Sequence, residues 1–176
     1  MAGFVYSFQK LSVLIVDDTE YMLSLLTTIL KALNFGVVLS ATNGQDAKRI
    51  LEDNRPVAEA KDDLVVDIVI SDWRMSPGDG AELLHWIRHH KSDSIKFLPF
   101  IMLTGYTEHA RIIKARDLGM TEFLRKPVTV NSLVGRIGSV IERPRPFVSA
   151  PTFFGPDRRR QTLPFEGPDK RKAKDG

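Results

Sequence analysis

The sequence predicts an α/β fold: a five-stranded parallel sheet, doubly wound as (βα)5, with helices on both faces. Three observations lead there. Short runs of apolar, mostly β-branched residues recur between segments of helical period. The runs are continuous rather than alternating, as expected of strands buried on both faces. Strand and helix then alternate five times, which calls for crossover connections and a parallel sheet.

The elements follow in order. Residues 12–16 (SVLIV) read as a buried strand. Asp18 is the expected N-cap of a helix over about Thr19–Leu33, with Met22, Leu25, Leu26, Ile29 and Leu33 on its inner face. Gly36 ends that helix, and VVLS is the second strand. Asn43-Gly44 leads into a helix carrying Ala47, Ile50 and Leu51. The polar stretch over roughly 54–64, with Pro56, reads as a long loop.

Residues 65–71 (VVDIVIS) form the expected third strand, and Gly80 precedes a helix with Leu83, Leu84 and Ile87 inward. Pro99 opens the fourth strand, FIML, since proline is tolerated at a strand start. A helix is expected from Thr107 to about Leu118, closed by Gly119. TEFL is the short fifth strand, and Val128–Ile141 the last helix, with Leu133, Val134, Ile137 and Ile141 inward.

Composition narrows the function. The 176 residues contain no cysteine, which excludes disulfides, thiolate metal sites and a thiol nucleophile. The start, MAGFVYSFQKLSVLIVDD, makes a poor signal peptide because it has no charged n-region and its apolar run meets Asp17 and Asp18. No run of about 18 apolar residues is present to span a membrane. A cytoplasmic protein is the expectation.

Charge divides the chain. Residues 143–176 hold nine Lys/Arg against four Asp/Glu and six of the ten prolines, whereas residues 1–142 carry a net charge of −2. A globular domain over 1–142 is therefore expected, followed by a basic, Pro-rich tail over 143–176. The tail contains a repeat: Gly155-Pro156-Asp157-Arg158-Arg159-Arg160 recurs as Gly167-Pro168-Asp169-Lys170-Arg171-Lys172. With few apolar residues, the tail is expected to be disordered and dispensable for folding. It would present its cations to an acidic protein, a nucleic acid or a membrane surface. The other expectation is a structural clamp packed through Phe147, Phe153 and Phe154.

The chemistry-bearing residues all fall at strand ends. Asp17 and Asp18 follow the first strand, Asp72 the third, Thr104 the fourth and Lys126 the fifth. In a parallel sheet these carboxyl ends share one edge, where ligands bind. Three carboxylates packed there repel one another unless a cation intervenes. A hard ion such as Mg²⁺ takes oxygen ligands and adds a phosphate oxygen readily. A carboxylate can serve as nucleophile toward phosphorus, with Lys126 as a point cation and Thr104 as a hydroxyl donor. Singly, each residue has an ordinary explanation as a cap, turn or surface group; together they form a phosphoryl-transfer constellation.

His85, His89 and His90, placed on the third helix, and His109 on the fourth, read as surface or boundary residues. The His85–His89 spacing lacks the glutamate of a zinc protease motif. Trp73, beside the acidic cluster, is expected to be a partly exposed loop residue.

The segments LIVDD, SDWRMSPGDG, MLTGY and FLRKP resemble the receiver domains of two-component response regulators, especially single-domain ones of the chemotaxis type. The resemblance spans about residues 10–142. It implies a flavodoxin-like sheet of order 2-1-3-4-5, and a signalling switch rather than an enzyme. It further implies Asp72 as the phosphoacceptor, accepting from a histidine kinase or a histidine phosphotransfer protein. Mg²⁺ would be held by Asp18, Asp72 and the Arg74 backbone carbonyl, with Asp17 acting through water. Thr104 and Lys126 would be the switch hydroxyl and lysine, and Phe123 the switch aromatic, here without a tyrosine hydroxyl. Arg74 and Tyr106 would flank the path of the water that hydrolyses the acyl phosphate. Met75-Ser76-Pro77 stands where the family usually reads Met-Pro. Output would be binding to a downstream protein; the alternatives are an adaptor that is not phosphorylated and a nucleic-acid-associated regulator using its basic tail.

Overall fold

The computed structural model describes residues 8–53, 65–105 and 109–158, with only the backbone for 109–111. Five strands, β1 (Ser12–Val16), β2 (Val37–Ala41), β3 (Ile68–Asp72), β4 (Phe100–Thr104) and β5 (Glu122–Arg125), pair in parallel in the order 2-1-3-4-5. The expected sheet and strand order are therefore present. Helices α1 (Glu20–Ala32), α2 (Gly44–Asp53), α3 (Gly80–Arg88), α4 (Asp93–Lys96), α5 (His109–Asp117) and α6 (Val130–Glu142) connect and follow the strands. The expected loop over 54–64 lies outside the described residues.

Alternate residues of the continuous apolar strands feed two cores. Leu14, Val16, Val69, Phe100 and Met102 face α2, α3 and α5 through Ala47, Leu51, Leu83, Leu84, Ile87 and Ala115. Val13, Ile15, Ile70, Ile101 and Leu103 face α1 and α6 through Leu26, Leu30, Leu133 and Ile137. β1 and β4 are buried along their whole length. At about 1.5–3 kcal/mol per large side chain buried, these strands anchor the fold.

Several local expectations are corrected. Thr19, not Asp18, occupies the N-cap of α1, because Asp17 draws the Thr19 N–H to its Oδ1 at 2.9 Å and so sets the turn. Leu30 is fully buried in α1, whereas Leu25 is only half-buried. β3 begins at Ile68 and includes Asp72, while Gly80 is the first residue of α3, capped by Asp79 through the Glu82 N–H at 2.8 Å. His89 and His90 lie past α3, whose C-cap is His89, and His90 is buried. In α6, Val140 packs inward and Ile141 is exposed.

The largest correction concerns the tail. Residues Phe147–Ala150 (β6) and Phe153–Pro156 (β7) form an antiparallel hairpin, so the expected disorder does not hold over them. The rest of the tail from residue 159, including the second copy of the repeat, lies outside the described residues. The rings of Phe97, Phe147 and Phe154 form a triangle with centroids 5.0, 5.2 and 5.5 Å apart. Arg145 donates to the carbonyls of Thr121 and Asp157, while Arg158 lies 4.0 Å from the Phe153 ring centre and 3.4 Å from Asp117. The hairpin thus sits where β4 and β5 begin, at the sheet edge opposite the acidic residues.

Beneath it lies Arg88, 1% exposed. Its Nε donates to Gly119 O at 2.8 Å, and its Nη1 donates to Lys96 O and Leu98 O at 2.9 and 2.8 Å. Phe147 covers the guanidinium at 5.0 Å. Burial lowers its pKa to about 9, and three backbone carbonyls keep the cation solvated from within. Sequence reasoning missed this residue, since an arginine in the last turn of a helix is ordinarily a surface charge complementing the dipole.

Candidate functional site

The sheet brings Asp17, Asp18, Asp72, Thr104 and Lys126 to one edge. Asp17 directly follows β1, its N–H donating to Ala41 O of β2 at 3.2 Å. Asp72 ends β3 and Thr104 ends β4. Lys126 follows β5, its N–H donating to Thr104 O at 2.8 Å, so the backbone of the lysine is tied to the end of β4. The Lys126–Pro127 peptide is cis.

Charge organises the centre. The ammonium of Lys126 donates to Asp17 Oδ2 at 2.9 Å and lies 2.8 Å from Asp72 Oδ1. Asp17 is fully buried, Asp18 exposed and Asp72 half-buried. Oxygens of the three carboxylates lie within 4.8 Å of one another. Asp72 Oδ2 accepts the Arg74 N–H at 3.2 Å. Burial raises the Asp72 pKa, and the hydrogen bond and charge of Lys126 oppose that rise. For Lys126 burial works toward a lower pKa, but its bonds to Asp72 and Asp17 outweigh it and the net shift is upward. One lysine serves two carboxylates and leaves the third, Asp18, facing solvent. An all-oxygen set of three acids in a chain without cysteine fits a hard divalent cation rather than zinc or copper.

Backbone packing holds the loop after Asp72 in place. Gly80 N–H donates to Trp73 O at 2.9 Å, and a Cβ on Gly80 would lie 2.1 Å from Asp72 O. Gly44 N–H donates to Gly78 O at 3.1 Å, where a Cβ would approach to 2.5 Å. Asn43 caps α2 by accepting the Asp46 N–H at 2.9 Å and donating back to Asp46 Oδ2 at 2.7 Å. The loop is thereby pinned between two helix starts. Trp73 and Met75 point into the core at 8% and 7% exposure, correcting the expectation of a partly exposed tryptophan. An indole between an anionic strand end and a helix start reads as loop by local sequence alone; the core position comes from the chain reversal at Gly80.

Thr104 is buried at the head of the site. Phe123 is half-buried on β5, with the Arg136 guanidinium 5.4 Å from its ring centre. Arg74 is exposed, and Tyr106 and Thr107 lie outside the described residues. His85 and His89 are exposed on the α3 side with ring centres 4.0 Å apart, away from the acidic cluster, and nothing is described of the His109 side chain.

Comparison with known proteins agrees with this geometry. The model of the response regulator receiver domain matches residues 13–138. Chemotaxis protein CheY-3 of Vibrio cholerae is 30% identical over 135 residues, covering 77% of this chain and 95% of that protein. A response regulator of Chloroflexus aurantiacus superposes with a TM-score of 0.65 at 27% identity, over 76% of this chain and 99% of the other. Chemotaxis response regulator CheY4 of Vibrio cholerae gives 0.63 at 25% identity, over 74% and 98%. Receiver domains are phosphorylation-activated signalling switches, and they generally bind Mg²⁺ in an acidic pocket such as the one formed here. With its sheet order, its acidic edge and its match over most of its length, the chain belongs to the response regulator receiver family.

Proposed function

We propose that Asp72 accepts a phosphoryl group from a phosphohistidine on a histidine kinase or histidine phosphotransfer protein. The phosphorylated protein then acts by binding a downstream protein. The observation carrying this reading is the Lys126 ammonium between Asp17 and Asp72, 2.9 and 2.8 Å from their oxygens. Asp72 must be ionised to attack phosphorus, and burial opposes that state. Lys126 favours it, and the Arg74 N–H stabilises the second oxygen.

In the transfer, a carboxylate oxygen of Asp72 forms a P–O bond as the P–N bond to histidine breaks. Asp18, Asp72 and the Arg74 carbonyl would hold Mg²⁺ directly, and Asp17 through water. There the ion would offset the charge of the transferring group. Lys126 keeps its positive charge through the step and can turn from Asp72 to a phosphoryl oxygen. Thr104, buried at the neighbouring strand end, supplies a hydroxyl for another. Its repositioning, with Phe123, carries the change toward β5 and α6.

Incubation with Mg²⁺ and a small-molecule phosphodonor should give one base-labile acyl phosphate, located at Asp72 by mass spectrometry. Asp72→Asn should remove it, because an amide is no comparable nucleophile. Phosphate on a histidine or serine, or retained in Asp72→Asn, overturns the reading.

A further inference from the structure

The hairpin gives the tail repeat a structural meaning, because its first copy is docked. Phe154 completes the aromatic triangle with Phe97 and Phe147, and the Lys96 ammonium lies 4.1 Å from its ring centre. Gly155 abuts Gly119 so closely that a Cβ on it would lie 2.6 Å from the Gly119 Cα. Pro156 is buried opposite Phe147. The Asp157 N–H donates to Pro146 O at 2.8 Å, and Arg158 meets both Phe153 and Asp117. A Phe-x-Gly-Pro-Asp-cation motif therefore fills a site that selects glycine sterically and a cation electrostatically.

The same motif occurs again as Phe165-Glu166-Gly167-Pro168-Asp169-Lys170, twelve residues on. Position by position it supplies what the site selects. Gly167 lacks the Cβ that Gly119 excludes, Pro168 has the fixed φ of Pro156, and Lys170 carries a cation where Arg158 has the one that meets Asp117. The one change of character is Glu166 in place of Phe154, and it falls where Lys96 waits. A carboxylate there exchanges an aromatic contact for an ion pair with that ammonium. Loop-closure entropy grows only slowly with length, so pairing β6 with the later segment carries a modest penalty for the extra residues.

We propose that the surface formed by Lys96, Phe97, Asp117, Gly119 and β6 is a docking site for this motif, which the two copies occupy alternately within one chain. Exchange releases Arg158 from Asp117 and sets Lys170 in its place. One motif's cation is thereby held while the other's is left free. The first copy is the stronger occupant, since Glu166 forfeits the triangle of rings.

The absence of cysteine makes the test direct in the full chain. Two double variants, Asp117→Cys with Arg158→Cys and Asp117→Cys with Lys170→Cys, are treated with a short thiol cross-linker. The Arg158 pair should cross-link within one chain and the Lys170 pair only weakly. Adding Gly155→Val, whose side chain cannot approach Gly119, should raise the Lys170 yield several-fold, and further adding Gly167→Val should abolish that gain. Because Gly155→Val could disturb folding, Glu166→Phe provides a second route: with the natural first copy retained, it should also raise the Lys170 yield several-fold. No gain in the Glu166→Phe variant overturns the proposal, as does a gain indifferent to Gly167→Val. Lys170 cross-links found only between two chains likewise overturn exchange within one chain.

Discussion

Lys126 reconciles three carboxylates at one strand edge by pairing with two, and the remaining negative charge is left for a cation. Titration with Mg²⁺ should accordingly change the emission of Trp73, the buried residue next to Asp72 in the chain. Trp86→Phe provides the clean background, and Asp18→Ala should weaken the response at least tenfold; an unchanged binding curve in Asp18→Ala would place the ion elsewhere. A second residue-scale expectation concerns His85. His85 is exposed, yet the slight desolvation by its neighbours lowers its pKa, and the charges of His89 and Lys48 lower it further. A base whose folded pKa lies below its unfolded value of 6.5 contributes stability that is complete above that pH and is lost as pH falls below it. NMR titration should therefore give a midpoint below 6.5, and Lys48→Met should raise it without restoring it fully, because the desolvation persists. A midpoint unmoved by Lys48→Met refutes the electrostatic part of the explanation.

At the scale of elements, the site depends on backbone contacts that admit no side chain. Gly80→Ala would press a methyl group against Asp72 O, 2.1 Å away before relaxation, and against Met102 Sδ at 3.1 Å. It should cost about 1–3 kcal/mol and displace the end of β3. Denaturant melts should show the loss, and phosphorylation of Asp72 should slow with it. Unaltered stability and rate would mean the loop yields freely. Much of this architecture was legible in the sequence. SVLIV and FIML are continuous apolar runs, and such runs admit few placements other than the centre of a parallel sheet. The aspartates and Lys126 converge once those strands are parallel, so the acidic edge was legible too. The burial of Trp73 is not legible in the sequence because it depends on Gly80 approaching Asp72, a contact between backbones that leaves no local hydrophobic period.

At the scale of the molecule, the hairpin was the feature least legible. Its strands are four residues long, surrounded by prolines and arginines, and joined through Pro151-Thr152 rather than an Asn-Gly turn. Composition resembled a solvated tail, while the partners that order it, Arg88, Phe97 and Gly119, are distant in sequence. Truncation after Glu142 should therefore destabilise the domain by about 2–4 kcal/mol, or roughly 5–15 °C in Tm, contrary to the expectation of a dispensable tail. Acyl phosphate should still form on the truncated chain below its lowered Tm, since the hairpin lies at the opposite sheet edge from Asp72. A melting temperature unchanged by truncation would show that the hairpin contributes no stability.

The position of Arg88 beneath the hairpin also bears on how the protein is made. Synthesis runs from the N-terminus, so every strand of the sheet and all of α6 are complete once Glu142 has been added. The cover over Arg88 and Phe97 does not yet exist at that moment. At roughly 5–20 residues per second the ribosome reaches Arg158 about one to three seconds later. Until the hairpin has emerged and docked, the domain presents an uncovered guanidinium and a more exposed phenylalanine ring, a surface that a chaperone or a neighbouring nascent chain could engage.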